Sequence, residues 1–150
     1  MRPRFGVRFA YASGDSNRSS NNLNTFNPLF PNPMYSSLSA LLGPSNLTDL
    51  VPTIRLTLDS KTAITPEMPV YWRSSIHDGI YNFATILIRP GNLTSARFVG
   101  YQPGLVVEHI FSHNVSRTVG YFHFFAGNFL KQTPPAENVG YFYATGTFRF

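Results

Sequence analysis

Five arginines stand at alternate positions in segments where polar and apolar residues alternate: Arg4, Arg8, Arg55, Arg73 and Arg149. Arginine stays ionised and grips carboxylates with a planar fork, so a surface that carries several of them suits an anionic solute. The alternative is that they pair with acidic residues on the same polar faces and stiffen the sheet. The available carboxylates are Asp59, Glu67 and Glu108, so full pairing would leave an excess of only two positive charges.

Position along the segments separates these arginines. Arg4 and Arg149 lie near segment ends, where contact with water explains them. Arg8, Arg55 and Arg73 lie further inside their segments. Arg117 falls in a segment with aromatic residues on both faces and is left unassigned.

No pattern for bond chemistry accompanies the arginines. Asp15 lies among Ser and Asn residues, without the further carboxylates of a calcium loop. The four histidines lie on separate elements without the spacing of metal ligands: His77, His109, His113 and His123. There is no Ser–His–Asp order, catalytic carboxylate pair or phosphate loop. The sequence therefore predicts no enzyme, no metal site and no cofactor.

Aromatic residues offer a second kind of contact. Tyr101, Tyr141, Tyr143 and Trp72 fit either sugar-stacking platforms or the aromatic girdle of a membrane interface, and both readings stay open. The pI of about 9.8 does not indicate nucleic acid as a partner, because the arginines are dispersed along the chain and not clustered into a patch.

Six segments alternate with period two, as side chains of a strand do. They span residues 4–12, 51–59, 62–73, 98–111, 115–125 and 141–150. Proline removes a ladder donor, so we expect bulges or breaks near Pro52, Pro66, Pro69 and Pro103. The pattern predicts an all-β, antiparallel chain without a long helix.

The connections between these segments alternate in length. Residues 59–61 and 112–114 are short polar turns, whereas 13–50, 74–97 and 126–140 are long connections. Short turns on one side and long loops on the other are typical of a transmembrane β-barrel, and segments of about 9–11 residues suit a tilted bilayer crossing. Six strands are too few for a usual closed barrel. We therefore expect a curved, open sheet with two unpaired edges.

The amino-acid composition agrees with a strand-rich membrane protein of this kind, a transmembrane β-barrel. The chain has 150 residues, one domain's worth by length, with 13% charged residues, 15% aromatic residues and no cysteine. No apolar run approaches the roughly 18 residues of a transmembrane helix. No apolar segment of a secretory signal follows the basic start. Taken literally, such a chain would stay in the cytoplasm; the alternative is that it is the C-terminal piece of a longer protein whose signal lies upstream.

The last residues, Phe148, Arg149 and Phe150, alternate and end on an aromatic. Outer-membrane barrels characteristically end in this way, and the barrel assembly machinery recognises that last strand. The match is partial, because Thr145 stands where a glycine is usual and Gly146 follows it. The alternative is a soluble antiparallel β-barrel or sandwich that binds a small ligand, in which the apolar face would be a shielded core.

A family resemblance rests on short motifs in a fixed order along nearly the whole chain. They are Ala12-Ser13-Gly14-Asp15, Thr25-Phe26-Asn27-Pro28-Leu29-Phe30-Pro31, Gly43-Pro44-Ser45-Asn46-Leu47, Trp72-Arg73, Asp78-Gly79-Ile80-Tyr81, Arg89-Pro90-Gly91 and His123-Phe124-Phe125-Ala126-Gly127. In this order they resemble the C-terminal portion of the alginate export family of outer-membrane proteins.

The resemblance implies an antiparallel outer-membrane barrel of which residues 1–150 form one domain at the C-terminal end. It implies a channel through which an anionic polysaccharide, an alginate-like polyuronate, or a similar solute diffuses passively. Its partners would be the outer-membrane lipid bilayer, the polysaccharide and, through the strand that ends at Phe150, the barrel assembly machinery. In such a channel we expect Arg8, Arg55 and Arg73 to line the lumen, to contact the solute and to project from one face of the sheet. The opposite face should carry Val7, Phe9, Ile54, Leu56, Val70 and Trp72.

Overall fold

The computed structural model describes residues 2–17, 19, 21–30, 32 and 39–150. Ten strands are assigned there: β1 (Arg2–Ala12), β2 (Leu47–Thr57), β3 (Thr62–Glu67), β4 (Val70–Arg73), β5 (Ile80–Tyr81), β6 (Leu87–Arg89), β7 (Phe98–Tyr101), β8 (Gly104–Ile110), β9 (Val115–Ala126) and β10 (Val139–Phe148). The helical elements are a 3₁₀ turn at Gly91–Leu93 and the four-residue helix α1, Asn128–Lys131. The predicted all-β class is confirmed, and no described helix is long and apolar enough to cross a membrane.

Eight of these strands form one antiparallel sheet, and β5 with β6 forms a small separate hairpin. The chain crosses the large sheet six times, because β3 with β4 and β7 with β8 are each one crossing with a break. The breaks lie at Pro69 and Pro103, as the loss of a ladder donor predicts. The expectation was wrong at the other two prolines, because Pro52 stays within β2 opposite Val7 and Pro66 stays within β3 opposite Leu105.

The sheet is open in the part of the chain that the structure describes. At one end β1 pairs with β2, and at the other end β10 pairs with β9. No pairing joins β1 to β10 among the described residues. The predicted open sheet with two edges is therefore confirmed for these residues.

The strand pairings define two faces, because residues directly opposite in an antiparallel pair point the same way. The polar face carries Arg2, Arg4, Arg8, Asp49, Arg55, Glu67, Arg73 and Glu108. The apolar face carries Val7, Phe9, Ile54, Leu56, Val70 and Trp72, and Arg117 is the one Asp, Glu, Lys or Arg residue of the described main sheet that lies on it. The expected division of these side chains between two faces therefore agrees with the register.

The apolar face is largely uncovered. Phe5 is 78% exposed, Val7 73% and Phe9 65%, and Phe142 and Phe148 at the other edge are 65% and 66% exposed. A soluble sandwich would bury such a face. The exposure therefore favours the barrel interpretation over the soluble alternative.

The short turns and the long loops lie at opposite ends of the strands. In the first short turn, Asp59 accepts hydrogen bonds from the backbone N–H groups of Lys61 (2.7 Å) and Thr62 (2.8 Å). These bonds from the carboxylate keep the pKa of Asp59 below its usual value. Part of the long connection predicted at 13–50 lies outside the described residues.

The buried core lies at the long-loop end, against the polar face. Leu47, Tyr71, Phe124 and Ala126 of the sheet pack there with loop residues that include Leu42, Ile80 and Phe129. Phe129 is completely buried. The long loops therefore fold over one end of the polar face and leave the short-turn end open.

Candidate anion-contact surface

Arg4 and Arg55 lie directly opposite each other on β1 and β2. Like charges in this position repel and destabilise a strand pair. Arg55 relieves part of the repulsion, because its Nη1 donates to Oε2 of Glu108. The Arg55 side chain is still 44% exposed. The pair therefore presents two guanidinium groups to the solvent, and Glu108 pairs with that of Arg55.

Arg8 lies further toward the long-loop end of the same face. Its Nη2 atom is 4.0 Å from Oδ1 of Asp49, whose side chain is only 3% exposed, whereas Arg8 is 46% exposed. At this distance the contact is an ion pair without a hydrogen bond, and nearly half of the Arg8 side chain remains accessible to solvent. Arg8 and Arg55 thus combine a structural ion pair with an accessible charge.

Arg73 has a different environment, because its side chain is completely buried. Its Nη1 donates to the carbonyls of Ile76 (3.1 Å), Asp78 (2.9 Å) and Gly91 (3.2 Å). Its Nη2 donates to Thr94 (2.8 Å) and Ala96 (2.6 Å), and Nε also donates to Ala96 (3.0 Å). The guanidinium carbon lies 4.2 Å from the centre of the Phe129 ring. Arg73 therefore holds the loop of residues 74–97 in place, and a solute on the polar face does not reach it.

Two side chains tie the first long loop to the second. Asn46, which is completely buried, donates from Nδ2 to the carbonyls of Ser75 (3.0 Å) and Gly79 (2.8 Å). Gly14 packs against Asn46 so closely that a Cβ there would lie 2.0 Å from its Oδ1. The link therefore needs glycine at position 14.

Asp78 is the second link. Its Oδ2 accepts hydrogen bonds from the Asp15 backbone N–H (2.9 Å) and the Thr25 hydroxyl (2.6 Å), and its Oδ1 accepts from the Tyr81 hydroxyl (2.7 Å). Burial by itself raises the pKa of this carboxyl, but the hydrogen bonds together outweigh burial and hold the pKa below its usual value. Asp78 is therefore ionised at neutral pH and joins the two loops as an acceptor.

The structure brings together two of the three arginines expected to contact a solute. Arg8 and Arg55 are exposed on the polar face, and Arg73 shares that face but is buried beneath the loops. Sequence reasoning missed the opposition of Arg4 and Arg55, because register between strands joined by a long loop cannot be read from alternation alone. No three His, Asp or Glu side chains of the described ranges are grouped so that they could hold a metal ion.

Comparison with protein-family models gives a match over nearly the whole chain. A family model described as "Alginate export" matches residues 1–143 of the 150. A search of curated proteins found no match. The family match covers every described strand from β1 to β9 and the first half of β10.

Proposed function

Because the chain belongs to the alginate export family, whose members are outer-membrane channels that handle a polysaccharide, we propose that its sheet is a segment of such a channel wall. The polar face borders the lumen, and the apolar face contacts lipid. The channel passes an anionic polysaccharide such as alginate, or a similar solute, by passive diffusion and without bond chemistry.

The observation that carries this proposal is the separation of charge between the two faces. An arginine or lysine on the lipid-facing side near the bilayer centre costs about 2–4 kcal/mol. Arg117 is the exception on the apolar face of the described sheet, and it lies opposite His109, near the short turn. A side chain at that end of a strand reaches the membrane interface, where the cost falls to about 0–1 kcal/mol.

Arg4, Arg8 and Arg55 supply the fixed positive charge of the proposed lumen. A polyuronate carries one carboxylate per sugar, and exposed guanidinium groups attract such a chain while its individual contacts remain weak enough to break. Arg73 contributes indirectly, because it fixes the loops that cover the long-loop end of the polar face. In this arrangement the lumen is narrower at that end than at the short-turn end.

Reversal potentials in planar lipid bilayers under a salt gradient test the charge of the lumen. We expect Arg55→Gln and Arg8→Gln each to lower the ratio of anion to cation permeability, and the double substitution to lower it further. Arg117→Gln is the matched control, since it removes the same charge from the apolar face. Unchanged selectivity in the double variant, with the control also unchanged, would show that these arginines only stiffen the wall.

The open edges of the sheet support a second part of the proposal, which is that this segment belongs to a longer barrel. The outer edge of β1 runs over 11 residues and that of β10 over 10 residues, and long edges with unpaired backbone groups promote aggregation unless they are covered. We infer that further strands of the same protein pair with both edges, and that the barrel assembly machinery recognises the β10 segment through Phe150.

An immunoblot of outer-membrane fractions tests the longer barrel. An antibody against residues 74–97 should detect a protein much larger than 16.8 kDa, and the reading frame should continue upstream of Met1 with further alternating segments. A species of 16.8 kDa alone in the outer membrane would contradict the longer chain. Phe150→Ala should lower the amount of assembled protein if the assembly machinery recognises this end.

A further inference from the structure

Two half-buried tyrosines stand on the polar face of β10, among the residues that the proposed function places in the lumen. Tyr141 and Tyr143 lie opposite Phe122 and Gly120 of β9. Tyr101 and Trp72, in contrast, belong to the apolar face. The face on which Tyr141 and Tyr143 stand excludes the lipid-interface explanation for these two residues.

The rings of Tyr141, Tyr143 and Phe122 form an offset stack. The Tyr141 and Tyr143 ring centres are 6.0 Å apart with 26° between the ring planes, and Tyr143 is 6.4 Å from Phe122 with 17° between the planes. Rings at this separation with nearly parallel planes are stacked with an offset. Phe122 is completely buried at the inner end of the stack, and the two tyrosine rings, which are half-buried, are the part that a solute can reach.

Two glycines allow the rings to lie against the sheet. A Cβ at Gly120 would lie 2.2 Å from Cε1 of Tyr143, and a Cβ at Gly104 would lie 2.0 Å from Cδ1 of Phe122. The ring of Tyr143 thus occupies the space above Gly120, where any side chain would push it off the sheet. This placement orients the ring along the wall of the proposed lumen.

We propose that Tyr141 and Tyr143 form a stacking platform for the pyranose rings of the polysaccharide. The apolar C–H face of a pyranose packs against the flat face of an aromatic ring, whose π system is electron-rich. Hydroxyls and carboxylates at the rim of the sugar remain free to contact water or arginine. The platform would guide the sugar rings, whereas the arginines attract the carboxylates.

The register places both kinds of contact in one row across the sheet. Tyr143, Gly120, Val106 and Thr65 form this row, and Arg55 and Arg4 continue it on β2 and β1. Four strand spacings of about 4.8 Å separate Tyr143 from Arg55 along the wall, or about 19 Å. Because barrel strands are tilted by about 35–45° from the pore axis, the row rises by about 11–13 Å over that separation. A polymer that threads the lumen therefore meets the platform and the arginine pair at different depths, through different sugar units.

This inference rests on the proposed channel function, so its test measures sugar binding and not conductance. The full chain in detergent micelles is titrated with a mannuronate trisaccharide and with neutral maltotriose, and saturation-transfer NMR gives the Kd of each. We expect Tyr141→Leu combined with Tyr143→Leu to weaken binding of both probes at least about fivefold, because both share the C–H face. The corresponding double Phe variant keeps the aromatic surface and should bind within about twofold of the parent chain.

Control measurements distinguish sugar stacking on these tyrosines from a purely structural role of their rings and from attraction by the arginines. Tyr121→Leu removes a tyrosine from the apolar face and should leave both Kd values unchanged. High salt should weaken binding of the charged probe through screening and spare the neutral one. If the double Leu variant loses its β-sheet circular dichroism, the single variant Tyr141→Leu is tested in its place. The Tyr141 ring does not pack over a glycine, so its loss should not disturb the sheet. Unchanged Kd values in a folded Leu variant would overturn the platform, whatever the reversal potentials show about the arginines.

Discussion

Replacement of Arg73 by lysine keeps the positive charge but removes the planar fork, and its effect on the loop of residues 74–97 can be worked out from the structure. The guanidinium donates to five backbone carbonyls, those of Ile76, Asp78, Gly91, Thr94 and Ala96. A lysine ammonium has only three N–H donors. At least two carbonyls therefore lose their donor in a buried site.

Each buried carbonyl without a donor costs about 1–3 kcal/mol, so two cost about 2–6 kcal/mol. The cost falls on the loop, because opening of the loop returns these carbonyls to water while the sheet remains paired. Since about 1.4 kcal/mol corresponds to a factor of ten, amide hydrogen exchange in residues 74–97 should accelerate between about 30-fold and about 10⁴-fold.

Hydrogen exchange followed by mass spectrometry on the full chain in detergent micelles measures this acceleration. Arg97→Lys is the matched control, since Arg97 is exposed at the same end of the sheet and donates from Nη1 to a single carbonyl, that of Ser74 (3.2 Å). Exchange in β8 and β9 should stay slow in both variants. An Arg73→Lys variant whose loop exchanges like the parent protein would refute the conclusion that this guanidinium holds the loop.

Three shorter predictions concern the faces, the register and the loops. Val7→Arg places a charge on the apolar face and should lower the free energy of unfolding from lipid vesicles by about 2–4 kcal/mol, whereas a milder effect in urea titrations would argue against lipid contact. Arg4→Cys with Arg55→Cys should form a disulfide under mild oxidation, because directly opposite residues have suitable Cα spacing, and Phe5→Cys with Arg55→Cys should not. The pKa of Asp78 is below the ordinary value of 3.8, so its contribution to loop stability is present above that pH and is lost as the pH falls through the lowered pKa. Hydrogen exchange of residues 13–17 should therefore accelerate only in acid, and Asp78→Asn should show fast exchange already at neutral pH.

Period-two alternation predicted all six crossings of the sheet and the face on which Arg4, Arg8, Arg55 and Arg73 lie. The prediction was wrong at the start of the second strand, which begins at Leu47 and not at residue 51. Thr48 and Asp49 interrupt the apolar pattern there, yet Asp49 is buried beside Arg8. A carboxylate that pairs with an arginine of the neighbouring strand looks like a loop residue when only its own segment is considered.

The burial of Arg73 could not be predicted in the same way. Alternation assigns a residue to a face, but burial on that face depends on what folds over it. The covering residues are backbone carbonyls of residues 76–96 and the ring of Phe129, which come from segments without any period. The small hairpin β5–β6 within these segments was missed for the same reason, since its strands have only two and three residues.

The contrast between Arg55 and Arg73 shows how one face of a sheet can give one residue type two functions. Both side chains project from the polar face. At the short-turn end none of the described loops covers Arg55, so its guanidinium lies opposite Arg4, pairs with Glu108 and stays nearly half exposed. At the long-loop end the backbone carbonyls of the loop have no partners within the sheet. There the Arg73 guanidinium donates hydrogen bonds to five of them. Distance from the loops therefore decides whether an arginine of this face stays exposed to solvent or holds the surrounding loops in place.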